Sequence, residues 1–333
     1  MEKPSLDTAK AGAMRFNTDS SQMEIYDGNQ WTGILATSGA LQTGGSRGIN
    51  FSGSSGSNTI EFITIPTTGN AKDFGNRTSI IQTSENACAS RTRGIFAGGE
   101  GNTDNIDFIT IAQQGNAQNF GDLTQSRGAG PGGFSNQIRG VFGGGRTPSS
   151  INTIDYITIA QTGNAQDFGD LTQVTQWPGA CSNSIRGIWF GGNNYPTYYN
   201  TISYVEIATT GNASDFGDLS QAAQVKAGAS SATRGLMYGG QIPSSPSDIN
   251  TIEFITFTST GVVTDFGDGT ATRRAAAGMS DSKRAVYASG YDAPGETSMM
   301  DYVQIASTGD AVDFGDATDS GFAAGTSNGH GGL

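Results

Sequence analysis

The chain has 333 residues, 50 of them glycine, with 35% hydrophobic and only 14% charged residues and a formal net charge of −12. Glycine at about twice the ~7% average, with no Gly-X-Y period and ample apolar content, excludes collagen and a disordered tail and points to tight turns between short strands. An acidic, lysine-poor surface repels phosphate backbones, so neither nucleic acid nor an anionic membrane is an expected partner.

Taken in chain order, the first residues, Met1-Glu2-Lys3-Pro4, lack an apolar run, so no signal peptide is expected. No apolar stretch reaches the length of a membrane span, so membrane insertion is not expected either. Residues 1–34 form a first segment. Within it Ala13–Asn17 and Gln22–Tyr26 alternate around Thr18-Asp19-Ser20-Ser21, which predicts a β-hairpin, and Asp27-Gly28-Asn29 turns into Gln30-Trp31. A hairpin of this size is marginal alone, and Met14, Phe16, Ile25 and Trp31 are the residues expected to seek a partner surface.

Residues 35–333 repeat. A phenylalanine in an Asp-Phe-Gly-Asp context recurs at Phe74, Phe120, Phe168, Phe216, Phe266 and Phe314, at intervals of 46, 48, 48, 50 and 48 residues. An arginine followed by a small residue and an apolar run keeps step at Arg47, Arg93, Arg139, Arg186, Arg234 and Arg284, and four of these runs end in Gly-Gly. A third landmark, as in Asn152-Thr153-Ile154-Asp155-Tyr156-Ile157, is apolar on both faces of its alternation, the mark of a strand sandwiched between two sheets. Six such units of four strands predict an all-β, six-bladed β-propeller. Ala276–Lys283 aligns with Ala323–His330, so the C-terminal segment is expected to supply the inner strand of blade 1 and pair with Arg47–Phe51, leaving no open edge. The competing reading gives that place to Gly39–Ser46. Cys88 and Cys181 share one column of the repeat in blades two apart, so no disulfide is expected and a reducing compartment is.

Candidate chemistry is sparse. Six copies of the triplet, five Asp-Phe-Gly and one Asn-Phe-Gly, without a phosphate loop do not read as a kinase; Phe is expected to pack between blades, Gly to allow a bulge, and Asp to bond local backbone. Calcium needs six to eight oxygens, and Asn76 and Asn119 replace acids in two copies, so no metal is expected. The six arginines read either as an anion-attracting ring or, with more support, as partners of the many Asp side chains. His330 is the single histidine, which excludes a zinc cluster; no cofactor and no enzymatic activity are expected. The copies differ most between the second and third strands, on the face that also carries the connections between blades. Trp177, Tyr195, Tyr198, Tyr199 and Tyr291 are the expected ligand-binding residues there, suited to stacking on sugar rings or on another protein.

Two resemblances extend these readings. Val141-Phe142-Gly143-Gly144, a variable loop and Asn152 to Tyr156 resemble the kelch motif, with Phe in the outer strand where kelch repeats carry Trp and with Ala288-Ser289-Gly290 replacing Gly-Gly in blade 6. Gly12-Ala13-Met14-Arg15-Phe16-Asn17 followed by Glu24-Ile25-Tyr26-Asp27-Gly28-Asn29-Gln30-Trp31 resembles a short module of virion proteins of tailed bacteriophages. That resemblance implies a virion structural protein, a tail fibre or appendage assembled in the host cytoplasm. Its partners would be other virion proteins and a host-surface glycan, and by analogy it would trimerise. A capsid decoration protein and an intracellular kelch-like interaction module are the alternatives.

Overall fold

The computed structural model describes residues 10–17, 22–26, 28–33, 46–52, 57–79, 87–99, 101, 103–245, 247–261 and 263–333. They fall into two compact units, residues 1–44 and 45–333.

In the first unit, strands Met14–Asn17, Gln22–Tyr26 and Trp31–Gly33 form an antiparallel meander, so the predicted hairpin gains a third strand. Met14 pairs with Ile25 and Arg15 with Glu24, which puts Met14 and Ile25 on one face and Arg15 and Glu24 on the other. The turn residues Thr18–Ser21 and Asp27 lie outside the described residues.

The second unit is a six-bladed β-propeller. Its blades are residues 87–127, 132–175, 179–218, 227–268 and 277–316 (blades 2 to 6), and 47–76 joined by 323–327 (blade 1). Blade 4 shows the plan: Gly179–Ser182 lies innermost, then Arg186–Phe190, Thr201–Glu206 and, at the rim, Ser214–Asp218. In blade 1 the inner strand is Ala323–Ser327, with Ala324 opposite Phe51 and Thr326 opposite Ile49, as the alignment of the C-terminal segment anticipated. The place that the competing reading gave to Gly39–Ser46 is thus taken by Ala323–Ser327; residues 39–45 lie outside the described residues.

Six apolar clusters fill the six junctions between blades, and each draws on two consecutive blades. Ile49, Phe51 and Phe74 of blade 1 meet Phe96 and Ile109 of blade 2, and Phe314 of blade 6 meets Ile63 and Ile65 of blade 1. This explains why the third strand is apolar on both sides: Ile202 and Val205, facing opposite ways along one strand, are both buried. In every blade the pairing of the third and outer strands skips the repeated Phe, as where Ile154 opposes Gly169 but Asp155 opposes Asp167. The bulge therefore sits at Phe168 and turns its ring into the junction, where it meets Tyr156 edge-on at 5.8 Å. The flanking Asp167 and Asp170 are exposed on the rim, where charge discourages one outer strand from pairing with another molecule.

Candidate functional site

Repeated residues in the propeller are spent on joining blades. Each of the six arginines donates through its Nη1 to a carbonyl at the end of the third strand of the next blade: Arg47 to Ile111 (2.8 Å), Arg93 to Ile159 (2.8 Å), Arg139 to Ile207 (3.0 Å), Arg186 to Phe257 (2.8 Å), Arg234 to Ile305 (2.9 Å) and Arg284 to Pro66 (2.9 Å). Each guanidinium also lies over an aromatic ring of its own blade, as Arg139 does over Tyr156 at 4.8 Å. The arginines thus form a ring bonded to backbone and not, as a general rule, to Asp; among the described residues only Arg186 of the six adds an acid partner, Glu206 at 2.9 Å. The reason is geometric. The carbonyls that end the third strand have no ladder partner, and a guanidinium reaches them across the junction.

The Thr-Gly-Asn-Ala turns do the same work from the other side. Gly211 and Ala213 of blade 4 donate their amides to Phe168 and Asp170 of blade 3 (2.8 Å each), and Asn212 Oδ1 accepts the Asp170 amide (3.1 Å). Thus the amide of the repeated Asp is bonded by the next blade's Asn, an arrangement that the expected local bonding by the Asp side chain did not anticipate. A Cβ on Gly169 would lie 2.4 Å from the Gly211 carbonyl oxygen, which is why that position is glycine. Among the described residues no group of three or more His, Cys, Asp or Glu side chains is placed to hold a metal.

At the axis, serine hydroxyls link the inner strands. Ser135 Oγ donates to Ala89, Ser182 to Ser135 and Ser230 to Ser182 (2.7 Å each), Ser280 to Ser230 (2.8 Å), and Ser327 to Ser280. The cavity that the six inner strands enclose measures about 40 Å³, enough for a few waters and roughly a tenth of an ordinary small-molecule site. Its end at the turns is crossed by residues 328–333. Cys88 and Cys181 line it; both are buried free thiols pushed well above the usual thiol range by burial.

A second ring consists of buried acids in the third strands. Asp155 accepts the Thr124 hydroxyl (2.7 Å) and pairs with Arg127 (2.7 Å); Glu253 faces Lys226 (3.3 Å); Asp301 pairs with Arg273; and Arg77 lies buried near Asp107. Burial is what pulls Arg77 down to about 10. Blade 4 has Ser203 in the acid's place, bonded to Thr172 (2.8 Å), and its connection carries no cation. Acid and cation are lost together, as expected if each is tolerated in the interior only because of the other. Glu61 in blade 1 departs from this. Its carboxylate accepts from Thr318 and from the Asn50 amide (3.1 Å), and burial raises its pKa.

The opposite end of the wheel, formed by the loops between second and third strands and by the connections between blades, is irregular. Around the mouth of the channel Ala129, Trp177, Val225 and Ala275 occupy one equivalent position with φ between 50° and 54°, a conformation side chains disfavour. A backbone chain joins them: Trp177 donates to Ala129 (3.2 Å), Val225 to Trp177 (3.1 Å) and Ala275 to Val225 (2.9 Å). Trp177 is therefore a half-buried rim residue whose backbone belongs to the scaffold. Beyond it, blades 4 and 6 raise short hairpins, Asn193–Asn194 with Thr197–Tyr198 and Tyr291–Asp292 with Gly295–Glu296. Tyr195 at the first tip is 80% exposed. Tyr199 is half-buried, and its backbone anchors the hairpin to Gly192 (2.9 Å) and Ala223 (3.1 Å).

Tyr198 and Tyr291 are joined by side chains that composition and periodicity did not single out. Gln224 Nε2 reaches the Tyr198 hydroxyl (3.4 Å) and Gln241 Oε1 (2.6 Å). Gln241 bridges through its backbone to Asp248, and Asp248 accepts from Arg274 Nη1 through both oxygens (2.7 and 2.9 Å). Arg274 in turn lies 4.1 Å over the Tyr291 ring. The result is an arc across blades 4, 5 and 6 in which two side-chain pairs, Gln224 with Gln241 and Asp248 with Arg274, are joined by the backbone bridge of Gln241 with Asp248. Among the five expected residues, the structure links Tyr198 and Tyr291 through this arc, leaves Tyr195 free at a tip, and assigns Trp177 and Tyr199 backbone duties. In the blade 2 loop, Glu100 and Asn102 lie outside the described residues.

In the first unit Met14 is 65% and Ile25 36% exposed on one face. Trp31 belongs to the other face, where it packs against Tyr26 (5.4 Å) and under Arg15 (4.2 Å), which is paired with Glu24 at 2.7 Å. Of the four residues expected to make contact, Met14 and Ile25 thus share one face and Trp31 lies on the other, while the Phe16 side chain lies outside what is described. No protein-family model matches the chain, and a search of curated proteins finds no match.

Proposed function

We propose that this chain is a non-enzymatic virion structural protein of a tailed bacteriophage, a tail fibre or appendage whose propeller presents the loop end of blades 4, 5 and 6 to a host-surface glycan. The observation that carries the reading is the division of labour between the ends: at the turns, repeated side chains are consumed in joining blades, while the arc from Tyr198 to Tyr291 is linked internally and sits among the exposed loops. The half-buried Gln241 amide, the Arg274 guanidinium and the Tyr198 and Tyr291 rings, braced from beneath by the buried Gln224 and Asp248, suit the hydroxyls and ring faces of a sugar, because little side-chain freedom is lost on binding. The chain's acidity favours a neutral glycan over a polyanionic one.

The resemblance of residues 12–31 to the phage module supports the virion assignment, and the exposed Met14–Ile25 face offers apolar surface for another virion protein. The kelch-like pattern fits the same wheel and is compatible with a protein-interaction module inside cells; the N-terminal module favours the virion. Two measurements test this. The chain should be present in purified particles and absent from them when residues 1–34 are deleted; a chain found only free in the cytoplasm contradicts the virion reading. A glycan array should show binding that Tyr198→Ala with Tyr291→Ala abolishes, with no product released from the glycan; cleavage would overturn the non-enzymatic part.

A further inference from the structure

The hydroxyl ring at the axis is incomplete at one junction, and a different group stands there. Five blades have a serine four residues before the ring arginine or its counterpart, each bonding back to the preceding blade. Blade 2 has Ala89, so nothing of that kind ties it to blade 1, and this is the junction beside the paired chain ends. Residues 328–333 continue from the blade 1 inner strand across the turn end of the channel and arrive there. His330 Nε2 lies 3.0 Å from the Ala89 carbonyl oxygen and 3.3 Å from Ser135 Oγ, so it bridges blades 2 and 3 from a segment that belongs to blade 1. A carbonyl only accepts, so Nε2 carries the hydrogen; Nδ1 accepts the Gly332 amide at 3.1 Å. Gly331 donates to Ser230 of blade 5 (3.1 Å). A Cβ on Gly331 would fall 2.2 Å from the Ser231 carbonyl oxygen, and one on Gly332 would fall 1.9 Å from that of Ser135, so only glycine lets the segment seat this deeply.

We propose that residues 328–333 are a latch that closes the turn end of the channel and replaces the missing serine link, and that His330 holds it only in its neutral form. The chemistry is specific to the tautomer. A proton added at Nδ1 meets the Gly332 N–H donor head-on and removes the acceptor that shapes the last turn. It also introduces a charge into a site walled by inner strands, and burial, with Arg91 on the blade 2 turn adding repulsion, lowers the imidazole pKa to about 4. Among the described residues, a further charged group at this end is Asp281 on the blade 6 turn, beside Gly329. Cys88 and Cys181 on the channel wall stay neutral. The sign follows: the latch is held fully above the ordinary histidine value near 6.5 and weakens as pH falls towards the folded-state value.

With one histidine in the chain, the test is unambiguous. An NMR titration of the full chain should show an Nε2–H imidazole at pH 7 that takes up its proton at about 4 and not near 6.5. Hydrogen exchange should show the amides of 328–333 losing protection at least tenfold between pH 6 and pH 4, after correction for intrinsic exchange, while amides of the third strands stay protected. In His330→Gln, whose amide N–H can take the place of Nε2–H without titrating, whatever protection 328–333 retain should be equal at both pH values. A histidine that titrates near 6.5, or a segment released at low pH equally in wild type and His330→Gln, would overturn the latch.

Discussion

The two ends of the propeller are built by opposite rules. At the turn end the blades repeat the same devices: arginine to a neighbour's carbonyl, a turn glycine against the preceding blade's bulge and, in five of the six, serine to the preceding strand. A residue there is explained by its equivalents in the other blades. At the loop end the blades disagree. Blades 4 and 6 raise hairpins, blade 5 supplies Gln241 and Asp248, and the contacts run from one loop to the next without a sixfold counterpart. Internal repetition therefore separates scaffold from surface within one chain: what recurs closes the wheel, and what does not is free to recognise something.

The largest effect expected at the scaffold comes from the buried acids. Arg127→Ala leaves Asp155 in the interior without its counter-ion, held by Thr124 alone, and should cost about 3–5 kcal/mol in chemical denaturation. Thr172→Ala at the neutral blade 4 position should cost only about 1 kcal/mol. Equal losses would mean that the ion pairs are not what separates these junctions. The next largest should come from the rim. Gly217→Ala drives a Cβ to 1.9 Å from the Gly261 carbonyl oxygen, whereas Gly211→Ala meets open space at a similar φ. Both lose the glycine conformation, costing about 1 kcal/mol, and the first should lose some 1–3 kcal/mol more through overpacking.

Glu61 sharpens the comparison at the seam. Because burial raises its pKa, the stability it contributes is complete below the ordinary carboxylate value and is lost as pH rises through the folded-state value. Glu61→Gln, which keeps the bonds from Thr318 without a charge, should flatten that decline in a melting-temperature profile from pH 4 to pH 8; an unchanged profile would remove Glu61 as its source. The smallest stability effect belongs to the loop end. Tyr195→Ala and Tyr198→Ala should each stay within about 0.5 kcal/mol of wild type.

Much of this was legible in the chain because the repeat multiplies every signal. The spacing of six phenylalanines gave blade number, and the match of Ala323–His330 to Ala276–Lys283 gave the closure. The arginine ring was visible but its partner was not, since a backbone carbonyl leaves no mark on composition. The serine links were hidden among other small polar residues, although Ser135, Ser182, Ser230 and Ser280 all precede the ring arginine by four. The arc was beyond reach for a different reason. Gln224, Asp248 and Arg274 meet only because three loops of unequal length converge, and no period predicts such a meeting. The same limit hid that a third strand sends Met14 and Trp31 to opposite faces.

The most direct test of the division between ends is to measure glycan binding and thermal unfolding on the same two variants, Tyr198→Ala with Tyr291→Ala and Arg186→Gln. The account predicts that the tyrosine pair loses binding with melting unchanged, and that Arg186→Gln melts earlier yet binds normally while folded. Loss of binding in Arg186→Gln with full binding in the tyrosine pair would contradict it.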